Sequence, residues 1–202
     1  RKIPKAKSVK AITKAIEPFS IRVANTEIKL PQPIYKEVQV DQTEAQSRVL
    51  TKLHDEMRLE LGRIQMDTKY IFTLLSKSLQ ICDGFVYGER GQVEYVPTEK
   101  DEGLIDTLED IGAHRNKVVM WCAFRFTAKK LYRLLSSRQI GYRCLILTED
   151  GDAGPIVRQF QYDRNVNILI LTLKKAAESV TLTAARYAIY YSNVWSFDNR
   201  SN

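Results

Sequence analysis

The chain has 202 residues, of which 44% are hydrophobic and 27% charged, and its 31 Lys and Arg residues outnumber 24 Asp and Glu residues for a formal net charge of +7. This is the composition of an ordinary globular protein, and it excludes collagen-like and intrinsically disordered chains. The positive charge is consistent with a nucleic-acid partner. It is equally consistent with a basic surface whose only effect is to keep the protein in solution.

Metal, redox and membrane classes are also constrained by the sequence. The three cysteines and two histidines have neither the C-x-x-C nor the H-x-x-x-H spacing of a structural zinc site, and an odd number of cysteines fits a reducing compartment. No apolar run approaches the roughly 20 residues that a membrane-spanning helix needs, and the basic start has no apolar signal segment after it. We therefore expect a cytoplasmic protein without a structural metal or a membrane partner.

The first predicted element is a short basic helix. Lysines cluster before residue 15, Val9, Ile12 and Ile16 recur at helical spacing, and Pro18 ends the pattern. Residues 34–40 then alternate in polarity, which predicts a strand or an extended linker.

Two helices and a hairpin are predicted next. Thr43 and Gln46 have the form of a capping box at the start of a helix that ends near Gly62. A second helix is predicted from after residue 67 to before residue 84. Two short apolar runs within residues 85–96 flank a glycine-containing turn and predict a β-hairpin.

After residue 97 short apolar runs alternate with amphipathic segments, which is typical of β-α units around a buried parallel sheet. The predicted strands are residues 118–122, 143–147, 168–172 and 187–191. We place a domain boundary near residue 100. Residues 1–99 are then a helical lead-in and linker with a small hairpin, and residues 100–202 are an α/β domain.

A complete active site is not recognisable in the sequence. The G-x-x-x-x-G-K-[ST] phosphate loop of nucleotide hydrolases and the G-x-S-x-G elbow of serine hydrolases are both missing. The acidic pairs at residues 55–56 and 101–102 do not follow an apolar strand and are better explained as solvated helix surface. His54 and His114 have no evident Ser or Cys partner, which argues against a catalytic role for either.

The order of features in the second half is nevertheless specific. The strand at residues 117–122 is followed by A-F-R-F-T-A-K-K-L, two further strands, and L-K-K-A-A-E-S-V-T-L-T-A-A at residues 173–185. Upstream lie I-x-P-F-x-x-R from residue 16 and L-Q-I-C from residue 79. This order resembles the second RecA-like lobe of superfamily 2 helicases, specifically the Swi/Snf-like ATPases and their bacterial and phage relatives.

The resemblance implies half of a motor. In such enzymes ATP and Mg²⁺ bind between two RecA-like lobes, the first of which carries the phosphate loop, and duplex DNA lies across both. The expected partners are therefore DNA and an N-terminal lobe outside this sequence. We expect ATP and Mg²⁺ to act only in the intact parent protein, with no tightly bound cofactor and no ATP turnover on this chain alone. The expected location becomes the cytoplasm of a bacterial or phage-infected cell.

The resemblance also implies site residues. The segment after Thr172 matches the family's motif V, but Ala176, Ala177 and Ser179 stand where the family has glycines, which puts the coupling between ATP and nucleic acid in doubt. Hydroxyls and cations near the end of a strand favour phosphate contact. The residues predicted to bind nucleic acid are Arg125, Thr172, Lys174, Lys175 and Thr183, and those predicted at the edge of the ATP cleft are Ser179 and Thr181.

Other positions of the resemblance have structural explanations of similar weight. Arg125 lies at the motif IV position, where Phe124 beside it fits a core role better than a functional one. Lys129 and Lys130 fit a solvated charge pair, and Trp195 fits a buried aromatic as well as an interface. Two alternatives to the motor lobe are a non-catalytic nucleic-acid-binding or assembly module that retains the RecA-like shape, and a Rossmann enzyme, which the missing G-x-G-x-x-G disfavours.

Overall fold

The computed structural model describes residues 6–19, 33–61, 68–88, 90–137, 139–176 and 181–193. The chain divides into two compact units, residues 1–37 and residues 38–202. In the first unit, helix α1 spans Ala6–Ile16 and a single 3-10 turn spans Glu17–Phe19. The basic helix predicted before Pro18 is confirmed. It ends at Ile16, since the proline that follows lacks the N–H that would continue a helix.

The second unit begins without regular secondary structure over residues 38–43, as the extended-linker alternative predicts. Helix α2 spans Glu44–Leu61. Its capping box is confirmed, since the Thr43 amide donates to Gln46 Oε1 at 3.0 Å and the Gln46 amide donates to Thr43 Oγ1 at 3.2 Å. Gln46 Nε2 also donates to the Ile81 carbonyl at 2.9 Å, which joins the start of α2 to the end of the next helix.

That helix, α3, spans Thr68–Cys82 and leads into the predicted hairpin. Strands β1, Phe85–Tyr87, and β2, Val93–Tyr95, pair antiparallel. Gly84 joins α3 to β1 with φ +86°. A Cβ there would stand 2.7 Å from Thr98 Cγ2 and 3.1 Å from the Val96 carbonyl oxygen, so both the dihedral and the space require glycine.

The rest of the second unit is a parallel sheet with helices between its strands. The strands are β3 Val118–Cys122, β4 Cys144–Leu147, β5 Ile168–Thr172 and β6 Tyr187–Tyr190. The helices are α4 Lys100–Asp110, α5 Arg125–Leu135, α6 Ala153–Tyr162 and the single turn α7 Leu173–Ala176. All pairings are parallel, and the strand order is β4-β5-β3-β6. The predicted α/β sheet is confirmed, with β4 and β6 each one residue shorter than expected.

The sheet is covered on both faces, because its side chains alternate between two hydrophobic clusters. One face packs on α4 and α5 through buried side chains such as Met120, Ile170, Leu108 and Leu131. The other face packs on α6 around fully buried Phe160. Within the described residues, no helix has the length and apolarity needed to cross a bilayer. The division into a lead-in and a lobe at residue 100 stays a prediction.

One lysine holds the end of α6 against the start of the central strand. Lys117, directly before β3, donates from Nζ to the carbonyls of Phe160 at 2.6 Å, Asp163 at 2.7 Å and Val166 at 2.9 Å. These carbonyls lie at and beyond the last turn of α6, where helix carbonyls lose their own partners. Burial lowers the pKa of Lys117, and the carboxylate of Asp163 opposes that shift.

We predict that Lys117→Met, which keeps the aliphatic stem but removes three hydrogen bonds, lowers the free energy of unfolding by about 1–3 kcal/mol. Urea denaturation measures this as a lower midpoint at an unchanged slope. Lys129→Met, on an exposed position of α5, is the matched control and is expected to change stability by less than about 0.5 kcal/mol. Equal effects of the two substitutions would contradict the role assigned to Lys117.

Candidate functional site

The carboxyl ends of the four parallel strands meet at one edge of the sheet, and we call this edge the carboxyl edge. The segments that leave it are residues 123–125 after β3, 148–152 after β4, 173–176 after β5 and 191–193 after β6. Open α/β sheets bind their ligands outside the carboxyl ends of the strands. The candidate site is therefore built from these segments.

Arg125 is the first residue of α5 and stands at this edge. Its side chain is 47% exposed, and Nη2 lies 2.5 Å from Asp150 Oδ2 in the segment after β4. Burial raises the pKa of Tyr87, while the positive charge of Arg125 opposes the rise, so the guanidinium also lies within electrostatic range of the hairpin. An Arg with one solvent-exposed ion pair remains able to bind a second anion, because its fork carries five N–H donors.

Thr172 is the last residue of β5 and Lys174 lies two residues later in the turn α7, and the two differ in accessibility. Thr172 pairs in register with Cys122 and is fully buried, and its Oγ1 has no hydrogen-bond partner among the described residues. Lys174 is exposed in the turn α7. Lys174 can therefore contact an external phosphate, whereas the Thr172 hydroxyl is shielded from solvent.

Thr181 and Thr183 lie toward the opposite edge. Gln161 in the last turn of α6 donates from Nε2 to the Thr181 carbonyl at 2.9 Å and to Thr183 Oγ1 at 3.3 Å. A few residues later the Arg186 amide donates to the Lys117 carbonyl at 3.0 Å, directly before β3 begins. These contacts hold the segment at the amino ends of the strands, and we call this opposite edge of the sheet the amino edge.

The structure thus brings together Arg125, Thr172 and Lys174 and separates Thr183 from them. Ser179 and Trp195 lie outside the described residues, and the side chain of Lys175 is not described either. The roles predicted for all of these residues stay predictions.

Phe124 has the structural role that its position favoured. Its ring contacts Phe85 edge-on with 5.6 Å between centroids, and Phe85 also lies 4.6 Å from Phe126. The hairpin and the start of α5 are therefore joined by aromatic packing, which positions the hairpin beside Arg125.

A buried polar cluster, which no pattern in the sequence indicates, lies against the first turns of α5 that begin with Arg125. Asp83, after the end of α3, is fully buried. Its Oδ1 accepts from Lys100 Nζ at 2.8 Å and its Oδ2 from Thr127 Oγ1 at 2.8 Å, while its carbonyl accepts from Lys130 Nζ at 2.8 Å. Three elements, α3, α4 and α5, therefore share one carboxylate residue.

The cluster continues to the end of β6. Lys130 Nζ also donates to Asp101 Oδ2 at 2.9 Å, and Tyr191 OH donates to Asp101 Oδ1 at 2.7 Å. Desolvation and the Asp101 carboxylate both raise the pKa of Tyr191, so its hydroxyl stays protonated and donates. Lys130, expected to be a solvated charge, is instead a structural cation. The sequence predicts only that a helix ends before residue 84 and does not single out Asp83, because the partners of Asp83 are up to 47 residues away in sequence.

Metal and thiol chemistry have no support among the described residues. No group of three or more His, Cys, Asp or Glu side chains in the described ranges is arranged to hold a metal ion. Burial raises the pKa of Cys144 to about 11 and raises that of Cys122 as well, so neither is an activated thiolate.

Comparison with solved structures gives the same architecture. The Sulfolobus solfataricus SWI2/SNF2 ATPase C-terminal domain aligns with a TM-score of 0.65 at 17% identity, over 78% of this chain and 71% of that one. The SWI2/SNF2 ATPase core of the same organism, solved in complex with dsDNA, aligns with a TM-score of 0.71 at 18% identity. That alignment covers 95% of this chain but 42% of the other, so this chain spans less than half the length of that core.

A third match is the C-terminal part of the Fun30 ATPase domain, with a TM-score of 0.58 at 14% identity over 80% of this chain and 75% of that one. No family model and no curated protein matches the sequence. The fold is therefore a RecA-like lobe of the type found in Snf2 ATPases, as the order of the sequence motifs predicted.

Proposed function

We propose that the chain is the second RecA-like lobe of a Swi/Snf-type, ATP-dependent DNA translocase, and that it binds the backbone of duplex DNA at the carboxyl edge. The fold supports the lobe, since solved Snf2 ATPase C-terminal domains share it at TM-scores of 0.58 and 0.65. The DNA partner is supported by the related core that was solved with dsDNA.

The observation that carries the proposal is the pair of accessible cations at this edge. Arg125 is half exposed and Lys174 is exposed, and they follow β3 and β5, which are neighbouring strands in the sheet. A guanidinium binds phosphate through two parallel N–H bonds, and a lysine adds a point charge. Contacts of this kind fix the position of a duplex without reading its sequence.

ATP and Mg²⁺ belong to the intact parent protein in this proposal. The sequence has no phosphate loop, and the described residues offer neither a glycine-rich cradle nor a metal-ligand cluster. The described residues do not by themselves form a nucleotide site, and in this proposal the phosphate-binding groups come from an N-terminal lobe. The proposed location is the cytoplasm of a bacterial or phage-infected cell.

The alternative is a non-catalytic nucleic-acid-binding or assembly module. It is favoured by Ala176, Ala177 and Ser179 in motif V, because side chains at these positions restrict both left-handed dihedrals and close approach to phosphate. The two functions differ in their response to nucleotide. Duplex affinity of the protein that includes the N-terminal lobe changes with ATP if it is a motor and does not if it is a module.

The first prediction of this function is that replacing Arg125 and Lys174 together by alanine weakens duplex binding about tenfold or more at low salt, because two phosphate contacts are lost. The slope of log affinity against log salt becomes shallower by about 0.9 for each lost contact. Fluorescence anisotropy with a labelled duplex measures both quantities. The matched control is Arg158→Ala together with Arg133→Ala, which removes one exposed cation of α6 and one in the last turn of α5. Equal losses in the two double variants would remove the carboxyl edge from the interface.

The second prediction concerns Asp150, which competes with phosphate for Arg125. Both side chains of the pair are substantially exposed, so the pair itself contributes little to stability. Asp150→Asn is expected to tighten duplex binding about twofold to fivefold, since it frees the guanidinium and removes one negative charge.

Asp106→Asn is the control for charge alone, because Asp106 is an exposed residue of α4. The gain from Asp150→Asn should exceed that of the control and should fall to the control value in an Arg125→Ala background. Weaker binding by Asp150→Asn would show that the pair orients Arg125 and does not compete for it.

A further inference from the structure

The start of α5 is held in an unusual way. Its N-cap residue, Phe124, makes no capping hydrogen bond through its side chain. Thr127, in the first turn, is fully buried and donates its hydroxyl to Asp83 Oδ2 at 2.8 Å. The Asp83 carboxylate therefore lies against the amino end of α5, where negative charge is favoured by the helix dipole.

The carboxylate that holds Thr127 is itself fixed from two further sides. Lys100 Nζ donates to the other carboxylate oxygen at 2.8 Å, and Lys130, one turn along α5 from Thr127, donates to the Asp83 carbonyl at 2.8 Å. Asp83 is fully buried, and the Lys100 side chain is 25% exposed. A buried carboxylate satisfied by two donors keeps one orientation, because any other leaves a charge unpaired.

We propose that Asp83 and Thr127 are positioning residues for Arg125, and that they set the direction from which its guanidinium meets the phosphate. Thr127 lies two residues after Arg125 in the same first turn, so the bond to Asp83 fixes the backbone that carries Arg125. The inference rests on the proposed function, and it assigns the placement of the binding cation to a cluster that does not touch the DNA.

The bond from Thr127 is the part of the cluster that can be removed most cleanly. Thr127→Val keeps the β-branched shape and loses only the hydroxyl donor, whereas Thr127→Ser keeps the hydroxyl. Loss of the bond is expected to weaken duplex binding about fivefold, which corresponds to one ordinary hydrogen bond. Thr127→Ser is expected to bind within about twofold of the unchanged chain.

A double-mutant cycle with Arg125→Ala separates positioning from general damage. Duplex affinity is measured for the unchanged chain, Thr127→Val, Arg125→Ala and the combination, at a temperature where circular dichroism shows all four folded. If Thr127 acts through Arg125, Thr127→Val weakens binding in the unchanged chain but has no further effect once Arg125 is alanine. Should Thr127→Val not fold, Thr127→Ala, which also removes the hydroxyl and has a higher helix propensity, takes its place in the cycle.

The outcomes distinguish this inference from the function it rests on. If Arg125→Ala weakens binding and Thr127→Val either has no effect or weakens binding equally in both backgrounds, the positioning role is wrong and the interface stands. If Arg125→Ala itself leaves duplex affinity unchanged, the proposed interface is wrong and the positioning role falls with it.

Discussion

The buried carboxylate of Asp83 is the constraint on which the described part of the lobe depends. Burying a charge without partners is costly, and removing one partner of a buried pair is more damaging than never having built it. Here Lys100 and Thr127 each donate a hydrogen bond to one oxygen of the Asp83 carboxylate. Lys130 joins the Asp83 carbonyl to Asp101, which in turn accepts from Tyr191 after β6. The end of α3, α4, α5 and the residue after β6 are thereby joined to one another at the carboxyl edge.

The elements could be predicted from the sequence because their signals are local. The capping box at residue 43, the apolar runs of β3 and β5 and the amphipathic spacing of α5 each specify one element within a few residues. The polar cluster could not be found in this way, because its members are far apart in the sequence and are brought together only by the tertiary fold; they are residues 83, 100, 101, 127, 130 and 191. Lys130 shows the difference, since beside Lys129 it has the pattern of a solvated pair but is held in the interior.

The sequence indicates candidate site residues but not which of them lie together, because that also depends on contacts between distant segments. Proximity in sequence grouped Thr172, Lys174 and Thr183, but the chain returns to the amino end of the sheet before β6, and Gln161 holds Thr183 there. Sequence also could not show that Asp150 neutralises Arg125, as the two residues follow different strands. Under the proposed function, the affinity of the carboxyl edge for phosphate depends on how readily Asp150 is displaced from Arg125 and on how firmly the buried cluster holds α5.

The most direct test is to map duplex binding onto the backbone amides of the chain by NMR titration. We predict that the largest shift changes fall on the residues that leave β3 and β5, around Arg125 and Lys174, and that the amides near Gln161 and Thr183 at the amino edge change little. Changes confined to the amino edge, or to the basic helix α1, would contradict the placement of the interface.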